Sequence, residues 1–149
     1  TTESLHSDCN TTSKVNTPSV SHLFEVNEEC QKISVTDRKK NHIVAKLLFV
    51  AKRGRPDIQV PIAFLTSRFT KADEDDWKKL KRLLQYLQST IDMPLTLSID
   101  NMSIIKTWVD ASYAIHNDMR SHTGGTIMMG KGALYAKSSK QKLNVKSST

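Results

Sequence analysis

One carboxylate in this sequence stands where a metal-binding group could stand. Asp110 ends the apolar part of the run "KTWVDASYA", Lys106 to Ala114. Because side chains alternate along a strand, Asp110 would share one face with Trp108 and Ser112. Asp is disfavoured inside strands, so its presence there needs a reason. Carboxylate oxygens are preferred ligands of Mg²⁺, which makes Asp110 a candidate metal ligand and catalytic group. The alternative is an Asp at a strand end that accepts backbone hydrogen bonds in a turn.

Other polar groups have plainer explanations. His116 and His122 flank the turn after this run and belong to no motif, so we expect exposed histidines rather than bases or ligands. Gly124 and Gly125 allow a close approach of the backbone to a strand or a ligand, and packing within the sheet or a β-bulge is the favoured interpretation. The acids of "DEDD", Asp73 to Asp76, fit the first turn of a helix, where negative charge is stabilising, better than a metal site.

The charge balance favours a polyanionic partner. Twenty-two Lys and Arg against 15 Asp and Glu give a formal net charge of +7, and nucleic acid is the first such partner to consider. Basic clusters such as "KRGR", Lys52 to Arg55, are ordinary solvated surfaces individually, but together they favour contacts to backbone phosphates. Such contacts give affinity without reading base sequence. The candidate phosphate-binding residues are Lys78, Lys81, Arg82, Lys137, Lys140 and Lys142.

Several classes of function lose support because their motifs are missing. The sequence has no P-loop, dinucleotide-binding glycine pattern or nucleophile elbow. Cys9 and Cys30 are too few for a disulfide framework and lack the spacing of a zinc site. The longest apolar run, Ile43 to Ala51, is interrupted by Lys46 and is far shorter than the ~20 residues needed to cross a bilayer. The first residues lack the order of a secretory signal. We therefore expect an intracellular protein that does not contact a membrane.

The first two parts of the chain are a linker and a helical segment. Residues 1–35, rich in Ser, Thr and Asn, predict a loop or linker with one short ordered piece at "HLFEV". Residues 36–93 predict three helices. The first begins at Thr36 or Asp37 and ends at Gly54. The second follows the turn after Gly54, and Pro61 within it indicates a kink or a later start. The third opens on the acids of "DEDD".

The third part, residues 94–149, predicts strands. Its short apolar and β-branched runs are separated by turn residues, which is typical of consecutive antiparallel hairpins. These runs are Leu95–Ile99, Ile104–Ala114, Thr126–Met129 and Ala133–Ala136. The change of pattern near residues 92–103 marks the boundary between the two halves. The predicted fold class is α+β, with helices first and an antiparallel β-meander after them.

Three blocks of the sequence, in order, resemble the polyprotein of copia-like retrotransposons. They are "HIVAKLLFVAKRGRPDI", "DEDDWKKLKRLLQYLQSTID" and "WVDASYAIHNDMRSHTGGTIMMGKGALYAKSSKQKLNVKSST". The similar region covers roughly residues 20–149 and corresponds to the end of the reverse transcriptase and the start of its ribonuclease H domain. The resemblance implies that residues 36–93 are a thumb-like or connection segment. It also implies that residues 94–149 are the opening β-meander of a ribonuclease H-like domain, truncated before its completion.

The resemblance also implies a site and its partners. In that family the Asp matching Asp110 is the first carboxylate of a Mg²⁺-binding set, in an enzyme that copies RNA into DNA and degrades RNA in RNA–DNA hybrids. The implied partners are such a hybrid or other nucleic acid, bound through backbone phosphates, and the remainder of the polyprotein; the oligomeric state stays open. The family continues past Thr149 into a Glu that supplies the second carboxylate, so we expect this chain to be inactive alone. A non-catalytic basic nucleic-acid-binding module and a pseudogene remnant are the alternatives.

Overall fold

Three α-helices come first in the computed structural model, which describes residues 14–27, 29–30 and 38–143, without the side chains of residues 38–40. Helix α1 is Arg38–Arg53, α2 is Gln59–Ser67 after a 3₁₀ turn at Pro56–Ile58, and α3 is Glu74–Ser89. The predicted helix start at Thr36 or Asp37 lies outside the described residues, as does the tail after Leu143. No helix in the described part of the chain is long and apolar enough to cross a membrane.

The two prolines explain why the second helix starts late. Pro56 opens the 3₁₀ turn, and Pro61 lies in the first turn of α2, where its missing N–H has no intrahelical partner to lose.

The hydrophobic core lies among the helices. The 3₁₀ turn, α2 and α3 contribute its largest fully buried side chains, and α1 and residues 14–27 cover them. The core residues are Val15, Leu23, Val44, Leu47, Ala51, Ile58, Ile62, Phe64, Leu65, Leu80, Leu83 and Tyr86.

The acids at the start of α3 form a helix cap, as predicted. The carboxylate of Asp73 accepts a hydrogen bond from the Asp76 N–H at 2.9 Å, and the carboxylate of Asp76 accepts one from the Asp73 N–H at 3.2 Å. Arg68 forms ion pairs with both carboxylates, at 2.7 and 3.0 Å. Burial raises the pKa of Asp76, although the charge of Arg68 opposes this effect. The cluster thus closes a helix end, where free N–H groups otherwise lack partners.

The second half of the described chain is a three-stranded antiparallel sheet of order β1-β2-β3. Strand β1 is Lys106–Ser112, β2 is His122–Met128 and β3 is Tyr135–Lys140. The prediction of a strand at Leu95–Ile99 was wrong. That segment makes isolated backbone hydrogen bonds to the β2–β3 turn, such as Ser98 N–H to the Lys131 carbonyl at 3.0 Å, and these do not extend into a ladder.

The sheet packs on the helices through β3. Strand β3 contacts α2 and α1, and α2 also packs on α3, so α2 lies between α3 and the sheet. The Gln59 side-chain amide donates hydrogen bonds to the Ala136 carbonyl of β3, at 2.8 Å, and to the Ala51 carbonyl of α1, at 3.3 Å. Strand β1, farthest from this contact, is exposed along its whole length. The structure thus contains helices followed by an antiparallel sheet. The assignment to a ribonuclease H-like fold stays a prediction.

Candidate functional site

Asp110 lies near the exposed end of β1, with its side chain on the sheet face that looks toward α2. The strand register places Asp110 opposite Gly124 of β2, and Gly124 opposite Ser138 of β3. One carboxylate oxygen accepts a hydrogen bond from the Ala111 N–H at 2.8 Å. No Lys or Arg among the described residues forms an ion pair with it. The carboxylate therefore keeps acceptor capacity for an external group.

A cavity of about 270 Å³ opens beside this carboxylate, between the sheet and the start of α2. Asp110, Gly124, Ser138 and Gln59 line it. A Cβ atom at Gly124 would meet only the Lys137 carbonyl oxygen, at 3.9 Å, which is an ordinary contact. Backbone packing therefore does not require glycine there. The missing side chain instead leaves the floor of the cavity open between Asp110 and Ser138.

The two histidines near this cavity are buried, so the prediction of exposed histidines was wrong. His116 and His122 are 5% and 7% exposed. His116 Nε2 lies 3.1 Å from His122 Nδ1, and His122 Nε2 lies 2.6 Å from Ser138 Oγ. Phe24 covers the pair, with its ring centroid 4.9 Å from that of His116. No sequence pattern predicts this cluster, because Phe24 is far from both histidines along the chain.

Burial lowers the pKa of both histidines. For His116, burial, the positive charge of Lys140 and the neighbouring His122 lower the pKa to about 4, against an opposing effect of Asp118. For His122, burial lowers the pKa. Both rings are therefore mainly neutral at pH 7. This state suits the hydrogen-bonded chain, because a neutral imidazole supplies one donor and one acceptor. These hydrogen-bonded side chains connect Ser138, which lines the cavity together with Asp110, to the loop that follows β1.

The donors around Asp110 supply part of a magnesium site. Among the described residues, Asp110 is the single carboxylate that lines the cavity, and the hydroxyls of Ser112 and Ser138 are the neighbouring oxygen donors. Within the described residues, no group of three or more His, Cys, Asp or Glu side chains could hold a metal ion. Mg²⁺ is commonly held by one or two carboxylates together with water and substrate phosphates. Asp110 thus fits as one ligand, whereas a two-metal site needs carboxylates that these residues do not supply.

The predicted phosphate-binding residues do not form one patch. Lys78 and Lys81 are exposed on α3, whereas Arg82 donates a hydrogen bond to the Thr17 hydroxyl at 2.9 Å. The cations of β3 differ from one another. Lys137 is exposed and pairs with Gly125 of β2, on the sheet face opposite to that of Asp110, whereas Lys140 forms an ion pair at 2.7 Å with a carboxylate of the loop after β1. The last of the set, Lys142, is also exposed.

The structure brings the β3 cations together with two cations of α1. A groove of about 760 Å³ separates the end of α1 from β3, and Lys52, Arg53, Lys137 and Lys140 line it. No acidic residue of the described chain lines this groove. The sequence showed Lys52 and Arg53 only as part of a basic cluster. Their position opposite β3 depends on how the sheet docks on the helices, which no local pattern reports.

Two of the known proteins that match the chain align with most of its length. It is 32% identical over 99 residues, 66% of this chain, to a putative transposon Ty5-1 protein of Saccharomyces cerevisiae. It is 33% identical over 108 residues, 72% of this chain, to a retrovirus-related Pol polyprotein from transposon RE2 of Arabidopsis thaliana. The match spans 32% of the yeast protein and 7% of the Arabidopsis protein. The chain is thus related in sequence to retrotransposon polyproteins. No family model and no solved structure matches it.

Proposed function

We propose that this chain is a segment of a copia-like retrotransposon polyprotein, from the end of the reverse transcriptase to the start of its ribonuclease H domain. The complete enzyme would copy RNA into DNA and, with Mg²⁺, degrade the RNA of RNA–DNA hybrids. Within it, Asp110 would be the first metal-binding carboxylate. By itself the chain binds nucleic acid and does not cleave it, because one carboxylate cannot hold two ions in place.

The position of Asp110 is the observation that carries this proposal. Its carboxylate has no cationic partner among the described residues, and it opens onto a cavity whose floor is clear at Gly124. The relationship to retrotransposon polyproteins supports the same interpretation. Bound Mg²⁺ would supply activation of water and stabilisation of the leaving oxygen.

A titration with Mn²⁺, a paramagnetic substitute for Mg²⁺, tests the role of Asp110. In ¹H–¹⁵N spectra of the full chain, we expect selective broadening of the Asp110, Ala111 and Gly124 amide signals. Asp110→Asn should abolish this broadening, whereas the matched variant Asp118→Asn should keep it, because Asp118 lies in the loop after β1 and does not line the cavity. Broadening that avoids β1, or that survives in Asp110→Asn, would refute a metal-ligand role.

Binding and cleavage of a fluorescent RNA–DNA hybrid test the rest of the proposal. We expect salt-sensitive binding of the hybrid and no cleavage in Mg²⁺. Cleavage that disappears in Asp110→Asn would show that the chain is active alone and would overturn the proposal of an inactive segment. Absence of binding at low salt would overturn the nucleic-acid-binding role itself.

A non-catalytic basic nucleic-acid-binding module is the second candidate function. The groove between α1 and β3, with four cations and no acidic side chain among the described residues, favours it. Such a module would bind nucleic acid equally well with Asp110→Asn, with or without Mg²⁺. If Asp110 is a metal ligand instead, Mg²⁺ should strengthen hybrid binding by the wild-type chain more than by Asp110→Asn.

A further inference from the structure

We propose that the groove between the end of α1 and β3 binds single-stranded nucleic acid, with Tyr135 as the platform on which a base stacks. This inference rests on the proposed nucleic-acid-binding function and names the strand that one surface would take. Three features of the groove carry it: its charge, its exposed tyrosine and the lining residues that it shares with the cavity beside Asp110.

The charge of the groove suits a phosphate backbone. Lys52 and Arg53 project from the last turn of α1, and Lys137 and Lys140 line the opposite side on β3. Within the described residues, Lys52, Arg53 and Lys137 form no ion pair. Their charges are therefore available to phosphates, and a strand bound between them would release counterions. The groove contrasts with α3, where Lys79 forms an ion pair with Asp75 at 2.8 Å.

One exposed aromatic ring lines this groove. Tyr135 of β3 is 55% exposed. Proteins that bind single strands combine a positive groove with aromatic side chains, because every unpaired base offers a face for stacking. A duplex hides those faces within its own stack, so exposed aromatic rings would add little to duplex binding.

The groove and the cavity beside Asp110 share lining residues. Gln59, Ala136, Lys137 and Ser138 line both. A strand held in the groove would thus contact residues that also line the Asp110 cavity.

Fluorescence anisotropy with a labelled 12-nucleotide single strand tests the role of Tyr135. We expect Tyr135→Ala to weaken binding by at least about fivefold, the lower limit for loss of one stacked base. Tyr135→Phe keeps an aromatic face and should bind as the wild type does. Binding of the matching duplex should change less than twofold in Tyr135→Ala. Equal weakening of single strand and duplex, or no weakening at all, would overturn the proposal.

A pair of double variants with the same change in charge tests the position of the surface. Lys52→Ala/Lys137→Ala removes two groove cations, and Lys71→Ala/Lys131→Ala removes two exposed cations that do not line the groove. The first variant should reduce the slope of log K against log salt by about 1.4, as expected for two lost contacts to a single strand. The second should leave the slope nearly unchanged. Equal effects of the two double variants would indicate diffuse electrostatic attraction and would overturn the proposal that the strand binds in the groove.

Crosslinking provides a readout that does not depend on affinity. A single strand with 5-iodouracil at its centre, irradiated with the full-length chain, should attach to the peptide that contains Tyr135. Attachment confined to α3 would refute binding in the groove but would not contradict nucleic-acid binding by the chain. Failure of the wild-type chain to bind single strand, duplex or hybrid would refute the proposed function together with this inference. Circular dichroism confirms that each variant is folded.

Discussion

Acidification should weaken the fold through the buried histidine pair. His116 has a pKa of about 4 in the folded chain, against an ordinary value of 6.5, chiefly because of burial. The unfolded chain therefore binds a proton that the folded chain does not, and stability is lost as the pH falls from 6.5 toward 4. For His116 the full difference corresponds to about 3 kcal/mol, and about 2 kcal/mol of it should be lost between pH 7.5 and pH 5. The lowered pKa of His122 acts in the same direction.

Urea unfolding followed by circular dichroism at pH 7.5 and pH 5 measures this loss. His116→Gln keeps a hydrogen-bonding side chain but does not titrate, so it should remove most of the pH dependence. The control His42→Gln changes an exposed histidine of α1 and should keep the dependence. Equal stability of the wild-type chain at the two pH values, or an unchanged pH dependence in His116→Gln, would refute the reasoning.

Other charged groups either shift the pKa of His116 or affect stability only at lower pH. The positive charge of Lys140 disfavours protonation of His116, and Asp118 favours it. Burial opposes the charged form of Asp57, but hydrogen bonds from Arg55 and Tyr86 outweigh it and hold the pKa below 3.8, so its stabilising effect is lost only below that pH. The comparison of stability at pH 7.5 and pH 5 therefore measures the effect of the histidines without that of Asp57.

Two further substitutions should destabilise the fold for different reasons. Asp57→Asn should lower the free energy of unfolding by about 2 kcal/mol in urea denaturation, because Asp57 accepts hydrogen bonds from Arg55 and, at 2.8 Å, from Tyr86; a loss below about 0.5 kcal/mol would contradict this role. Gly132→Ala should lower the free energy of unfolding by about 1–3 kcal/mol, and with it the melting temperature. Gly132 has φ +75°, and a Cβ there would press on the backbone of the segment before β1. Gly54→Ala, where a Cβ would meet open space, is the control, and an equal effect of the two would refute the steric explanation.

The helices could be predicted from local signals. The capping acids before α3, the proline in the first turn of α2 and the apolar spacing within each helix act between residues a few positions apart. Alternation along β1 likewise predicted which residues share a face with Asp110, and the register confirms that face. The segment at Leu95–Ile99 had the composition of a strand but not its structure, because a strand needs a continuous partner and this segment makes only isolated hydrogen bonds.

The sequence by itself determined the presence and order of the three helices, the alternation around Asp110, the excess of positive charge and the relationship to retrotransposon polyproteins. Tertiary structure alone decided that His116 and His122 are buried under Phe24, that Gly124 opens the space beside Asp110, and that Lys52 and Arg53 face Lys137 across one groove. The physical reason is the range of the interactions. Caps and periodicity act within a few residues, whereas desolvation of a histidine or the meeting of distant cations depends on how the sheet docks on α2.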